Sequence, residues 1–146
     1  MTRRRTKART LALQALYQLD VTQQPLPEVL DTFWRVAEGS QDDNRYANDL
    51  IIGVTEHHHE IDQQLEANSE HWKLSRMSRI DRNILRLATF ELLHCPDVPP
   101  AVVMNEAIEL AKRFGTADSS GYINGVLDKI LNLHGSTDAP KHDALG

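Results

Sequence analysis

The sequence is poor in cysteine and aromatic residues, and it has no long apolar run. One cysteine among 146 residues cannot form an internal disulfide, and aromatic side chains make up only 5% of the chain. No apolar stretch approaches the roughly 20 residues that a membrane-spanning helix needs. The N-terminus also lacks the apolar region of a secretory signal peptide. These absences predict a cytoplasmic protein that does not enter a membrane.

Strand-like alternation and internal repeats are missing too, whereas apolar residues recur at helical spacing along most of the chain. The hydrophobic content of 40% and the charged content of 25% are ordinary for a globular domain. The sequence therefore predicts an all-α fold of six or seven helices in one domain over residues 1–134. The remaining residues, 135–146, show no periodicity and are predicted to form a disordered tail.

Two stretches carry the clearest helical patterns. Residues 45–65 predict one continuous helix at the centre of the domain, in which Gly53 permits a close approach by another helix. The stretch 99–131 predicts two helices that meet at a short polar elbow. The first is expected to end near Phe114, with Gly115 as a left-handed cap. The second is expected to begin at Asp118 or Ser119, to stop at Gly135 and to bring Gly125 close to another backbone.

A run of three histidines, His57 to His59, resembles a metal site in composition only. Consecutive helical residues point about 100° apart, so three adjacent histidines cannot converge on one ion. We expect His58 to pack on the apolar face, with His57 and His59 in solvent, and we expect no metal or other cofactor. Cys95 lacks a cationic setting that would activate its thiol and is interpreted as a packing residue.

Positive charge is concentrated at the N-terminus, although the chain as a whole has a net charge of −5. Five of the 16 Lys and Arg residues lie within residues 1–9, and the first acidic residue is Asp20. Such cations oppose the macrodipole of the helix that begins there, so they do not stabilise it locally. Segment 1–9 is either a solvated tail or an arginine-rich segment that becomes ordered on RNA.

A second group of basic residues precedes and enters a helix that Ser78 can cap: Lys73, Arg76, Arg79, Arg82 and Arg86. This group is either a further basic surface or a charged helix face offset by Glu70, Asp81 and Glu91. Tyr122 stands at the start of the last helix, where an aromatic face beside free N–H groups could receive a nucleotide. The alternative for Tyr122 is an ordinary place at the rim of the core.

Several short motifs, in this order and spacing, resemble the NusB family of transcription antitermination factors. They are Ala8-Arg9, Gln14-Ala15-Leu16-Tyr17, Ile61-Asp62, Leu85-Arg86-Leu87-Ala88 with Glu91-Leu92, Asn105-Glu106-Ala107-Ile108-Glu109-Leu110-Ala111-Lys112 with Phe114-Gly115, and Ile123-Asn124-Gly125-Val126-Leu127-Asp128-Lys129. The resemblance covers residues 3 to 131 and implies two small packed helical bundles. It also implies a bacterial protein that binds the boxA element of nascent ribosomal RNA transcripts together with NusE, a small-subunit ribosomal protein. The pair is expected to join an antitermination complex on RNA polymerase, with the free protein a monomer or weak homodimer.

The resemblance also implies which residues act. The RNA-binding set carried over from the family is Arg4, Arg5, Lys7, Arg9, Arg82, Arg86, Asp118 and Tyr122. The NusE-binding set carried over is Tyr17, Asp81 and Leu85. The family usually has phenylalanine where Tyr122 stands, and tyrosine keeps the stacking face.

Two other functions remain as alternatives. The same helical domain resembles the N-terminal part of a ribosomal RNA cytosine methyltransferase, but the sequence after Gly135 leaves no room for a nucleotide-cofactor domain and the chain has no Gly-rich phosphate loop. We therefore expect no enzymatic activity. A purely protein-binding acidic adaptor would leave the arginine-rich segment unused.

Overall fold

The structure is a computed structural model that describes residues 5–69 and 77–145, with side chains described up to residue 133. The described residues form seven helices and no strand, which confirms the predicted all-α fold. The helices are α1 (Thr6–Thr22), α2 (Leu26–Val36), α3 (Gln41–Glu56), α4 (His58–Ala67), α5 (Arg79–His94), α6 (Pro100–Phe114) and α7 (Ser119–Leu145). Within those ranges, none of the helices is both long enough and apolar enough to cross a membrane.

Helix α5 is the centre of the fold. It packs against α1, α3, α4, α6 and α7, and its apolar side chains are almost completely buried. Its start follows the sequence prediction, since the hydroxyl of Ser78 accepts a hydrogen bond from the Asp81 N–H at 3.0 Å. Helices α1 to α3 form one packed group and α4 to α7 a second, and both share one continuous core through α5.

The predicted continuous helix over residues 45–65 is wrong. The chain leaves helical geometry at His57, which has φ of −106° and ψ of 19° and separates α3 from α4. Gly53 does meet a close neighbour, because a Cβ at this position would overlap the ring of Phe90. Helix α3 therefore packs closely on α5.

The elbow between α6 and α7 also differs from expectation in its details. Gly115 ends α6 with φ of −95° in an extended conformation, so it is not a left-handed cap. Gly125 is exposed, and a Cβ added to it would meet no atom within 4 Å, which overturns the expected close packing there. Helix α7 begins at Ser119 as predicted, but its backbone continues past Gly135 to Leu145. The sequence of 135–146 contains no apolar stripe, and the expected disorder of this tail stays a prediction.

Candidate nucleic-acid interface

The start of α1 carries exposed positive charge. Arg5 and Lys7 are both exposed, whereas Arg4 lies outside the described residues. Arg5 has a left-handed backbone with φ of 58°, and its guanidinium carbon lies 4.0 Å from the centre of the Tyr46 ring. A cation over an aromatic face contributes roughly 0.5–1 kcal/mol at an exposed site. This contact orients the residue that precedes the helix while its charge stays accessible.

Directly beneath this surface lies a buried polar group that we call the Arg9 cluster. Arg9 is 2% exposed, and its Nε and Nη2 donate to the two carboxylate oxygens of Glu91 at 2.8 and 2.7 Å. Its Nη1 donates to Oε1 of Glu106 at 3.2 Å. The hydroxyls of Tyr46 and Thr6 donate to Glu91 and Glu106 at 2.8 and 2.7 Å. Burial, and next the charge of Glu91, raise the pKa of Tyr46, so its hydroxyl remains a donor.

The predicted contact between Arg9 and RNA conflicts with this burial, because a phosphate would have to displace two carboxylates from the interior. We therefore remove Arg9 from the RNA-binding set. A signal for this was present in the sequence. Arg9, Glu91 and Glu106 each lie at helical spacing from buried apolar residues of their own helix, on the face that enters the core.

The elbow between α6 and α7 is connected to the first half of α1. Nη1 of Arg113, in the last turn of α6, donates to the hydroxyl of Thr10 at 3.2 Å. The elbow itself is closed by the N–H of Thr116, which donates to the Ser119 hydroxyl at 2.9 Å. The first of these contacts joins the end of α6, just before the elbow, to the first half of α1.

Asp118 and Tyr122 occupy this elbow with different exposure. Asp118 is exposed, while Tyr122 is partly buried and packs against the core. The N–H of Tyr122 donates to the Asp118 carbonyl at 3.2 Å, so the two lie one turn apart. We group the aromatic ring at the rim, the exposed carboxylate and the basic start of α1 as one candidate region, because the Arg113–Thr10 hydrogen bond links α6, just before the elbow, to α1. We call this region the α1–elbow surface.

The two arginines of α5 are already paired. Nε and Nη2 of Arg82 donate to Oδ2 of Asp20 at 3.1 and 2.7 Å, and those of Arg86 donate to the carboxylate of Asp62 at 2.9 and 3.0 Å. Burial works to raise the pKa of Asp20, but hydrogen bonds from Arg82 and Asn83 and the charges of both arginines outweigh it, so this pKa lies below its ordinary value. The arginine side chains are only 14% and 12% exposed.

This pairing argues against the prediction that Arg82 and Arg86 extend the RNA surface. The alternative of a charged face offset by acids describes them better, although the acids come from α1 and α4 rather than from the neighbours of α5 in sequence. Arg79 is exposed, and Lys73 and Arg76 lie outside the described residues.

The residues predicted to bind a protein partner also differ in their exposure to solvent. Tyr17 is 40% exposed, and Val21, one turn further along α1, is 45% exposed. Asp81 is half-buried in the first turn of α5. Leu85 is fully buried, so it cannot contact a partner and belongs to the core.

Cys95 does not have the properties of a nucleophile. Burial raises the pKa of its thiol to about 11, with Glu91 and Asp97 adding to the effect, so the thiol stays protonated at neutral pH. This agrees with its interpretation as a packing residue.

An exposed basic helix start and an aromatic residue at the rim of the core are features found in helical nucleic-acid-binding proteins. The chain belongs to the NusB family, since the family model matches residues 6–132. The transcription antitermination protein NusB of Anaeromyxobacter dehalogenans is 49% identical over 133 residues, which cover 90% of this chain and 93% of that protein. NusB of Myxococcus xanthus is 48% identical over 130 residues, covering 86% and 93%.

Solved structures agree with this assignment. NusB of T. maritima superposes with a TM-score of 0.80 at 36% identity, covering 89% of this chain and 92% of that one. A chain from the complex of NusB and NusE with double-stranded RNA gives a TM-score of 0.82 at 28% identity, covering 91% and 99%. The family motifs identified in the sequence are therefore confirmed over almost the whole domain.

Proposed function

We propose that this protein is a transcription antitermination factor that binds the boxA element of nascent ribosomal RNA transcripts together with NusE. The pair then helps to assemble an antitermination complex on RNA polymerase. Family membership supports this function, and so does the likeness to a NusB that was solved with NusE and RNA. The relatives match nearly their full length and carry an antitermination name, so the methyltransferase alternative is not favoured.

The α1–elbow surface is the observation that carries the RNA-binding part of the proposal. Its cations, Arg5 and Lys7, are exposed and have no carboxylate placed against them among the contacts of the described chain. We propose that they meet phosphates, with Arg4 beside them, and that Tyr122 offers its ring to a base.

A salt titration tests this surface. We would measure binding of fluorescent boxA RNA, as a single strand and as a duplex, by anisotropy for the wild type and for Arg5→Ala with Lys7→Ala. For a single strand, the slope of log K against log salt is about −0.7 per neutralised phosphate, so loss of two contacts should flatten it by about 1.4.

The matched control is Arg35→Ala with Arg45→Ala, which also removes two positive charges. Both arginines are 72% exposed and lie on α2 and α3. An equal flattening in the control would mean that only net charge matters, and the α1–elbow surface would lose its role.

The NusE-binding part rests on the apolar surface of α1. We propose that Tyr17, with Val21 beside it and Asp81 nearby, contacts NusE. Tyr17→Ala should weaken NusE binding in a pull-down or calorimetric titration while RNA binding by the protein alone is retained. Val36→Ala is the control, because Val36 is 79% exposed on α2.

We further propose a non-catalytic role in the cytoplasm. The names of the relatives describe antitermination and not a chemical reaction. The protonated thiol of Cys95 supports the same conclusion.

A further inference from the structure

Three side chains capable of binding a metal meet on the surface at the break between α3 and α4. His57 is the residue that separates the two helices, Glu60 lies in the first turn of α4, and His94 is the last residue of α5. Nε2 of His94 lies 2.8 Å from Oε1 of Glu60, and Nδ1 of His57 lies 3.5 Å from the same oxygen. The three ligand atoms all lie within 4.8 Å of one another.

Packing turns His57 toward α5. Its ring stacks on that of His94 with centroids 3.9 Å apart, and Phe90 lies against both rings at 5.9 and 5.3 Å. The space that Gly53 leaves for Phe90 allows this arrangement. His57 is therefore only partly solvated, with a side chain that is 40% exposed. The expectation that His58 packs on the apolar face is wrong, because its side chain is 54% exposed.

The next two histidines point elsewhere. Nε2 of His58 pairs with Asp62 at 3.1 Å, and His59 lies 3.4 Å from the amide of Gln63. The three consecutive histidines thus do not converge, as their spacing requires. The cluster is built instead from one member of the run and from a histidine on another helix.

Two imidazole nitrogens and one carboxylate oxygen are a donor set that Zn²⁺ accepts. With bonds of about 2.0–2.1 Å, tetrahedral geometry places ligand atoms about 3.3 Å apart. The two measured separations of 2.8 and 3.5 Å lie on either side of that value. The side chains of His57, Glu60 and His94 are 40%, 52% and 28% exposed, so an ion can reach them from solvent.

We propose that His57, Glu60 and His94 bind one divalent ion of the zinc type. Three protein ligands leave the fourth position of a tetrahedral ion to water. The bound ion would link the junction between α3 and α4 to the end of α5. This inference is independent of the proposed RNA function, because the cluster shares no residue with the α1–elbow surface.

Calorimetric titration of the tag-free, full-length protein with ZnCl₂ tests the proposal. The wild type should bind one ion per chain through this site. Removing a residue that only orients a metal ligand weakens metal binding about 10- to 100-fold. Removing a ligand itself, in His57→Ala or His94→Ala, should therefore weaken zinc binding at least about tenfold. Zinc should also raise the melting temperature of the wild type, but not that of either variant.

The double variant His58→Ala with His59→Ala is the matched control, because it removes two histidines of the same run and keeps the three proposed ligands. It should bind zinc as the wild type does. Melting curves in EDTA establish that each variant folds, and His94→Gln replaces His94→Ala if the latter does not. Absence of zinc binding by the wild type, or binding that is lost in the control but kept in His57→Ala and His94→Ala, would overturn the proposal.

Discussion

The start of α1 and the start of α5 both carry basic residues, yet the fold uses them differently. At α1, Arg5 and Lys7 are exposed, and the acids nearby are turned inward to Arg9. At α5, carboxylates from α1 and α4 cover Arg82 and Arg86. Both regions qualify as RNA-binding surfaces from composition alone. What separates them is which acidic side chains the tertiary fold brings within reach.

The start of α1 is helical even though its cations are unfavourable at a helix N-terminus. Several cations at a helix N-terminus oppose the macrodipole, and the left-handed backbone of Arg5 adds a cost of roughly 1–2 kcal/mol. The Arg9 cluster offsets these terms by anchoring the first turns of α1 to α3, α5 and α6. The buried Arg9 cluster therefore stabilises the start of α1, and the exposed cations above it remain available to bind RNA.

The largest expected effect is loss of stability in Arg9→Ala. Removing one member of a buried ion pair leaves uncompensated charge, here on Glu91 and Glu106, and costs about 3–5 kcal/mol. Urea denaturation measures the change in the free energy of unfolding. Arg35→Ala, whose pair with Asp31 is exposed, should change it by less than about 0.5 kcal/mol. A stable Arg9→Ala protein with weakened RNA binding would show that Arg9 belongs to the interface rather than to the core.

Much of the fold could be predicted because its signals are local. The Ser78 cap, the start of α6 at Pro100 and the need for a small residue at Gly53 all follow from the sequence near each position. The break at His57 could not be predicted in this way, since it accompanies stacking on a histidine of another helix. Gly115 shows the same limit, because a glycine after a helix permits a left-handed cap without requiring one.

The candidate site was predictable in part for the same reason. Residue type and helical position correctly predict Lys7 at the surface and Tyr122 at the rim of the core. The roles of Arg9 and Arg82 depend on acids far away in the chain, at Glu91 and Asp20. Charge on an apolar stripe is the sequence signal that separates a buried arginine from an RNA-binding one.

Asp20→Asn tests the second half of the comparison. Hydrogen bonds to a charged group contribute about 1.5–3 kcal/mol, and this substitution should lower the free energy of unfolding by up to that amount at neutral pH. Because the folded pKa of Asp20 lies below its ordinary value of 3.8, its stabilisation is present above that pH and is lost as the pH falls through the folded pKa.

The stability difference between wild type and Asp20→Asn should therefore shrink in acid.

Arg82→Ala should leave RNA affinity unchanged once folded fraction is taken into account. Weaker RNA binding by Arg82→Ala at full folding would show that α5 contributes to the interface after all.

Substitutions of Tyr122 test whether the elbow adds base contacts to the charge of α1. Loss of a stacked base costs about 1–3 kcal/mol, or about 5- to 150-fold in boxA affinity, for Tyr122→Ala. Tyr122→Phe keeps the ring and should bind like the wild type. Tyr122→Leu keeps apolar bulk against the core but removes the ring, so it should bind weakly while melting near the wild type. Equal binding by the Leu and Phe variants would assign Tyr122 to the core alone.

Asp118→Asn should produce the smallest effect and one of opposite sign. Asp118 is an exposed acid of the α1–elbow surface, so its carboxylate should repel the phosphates that we propose Arg5 and Lys7 to bind. Exposed charge interactions contribute about 0.2–1 kcal/mol, so the neutral variant should bind boxA RNA about 1.4- to 5-fold more tightly, most visibly at low salt. Asp128→Asn, an equal change in charge further along α7, should show little gain. Weaker binding by a fully folded Asp118→Asn protein would mean that the carboxylate accepts a hydrogen bond from a base, and repulsion would no longer describe its place beside the start of α1.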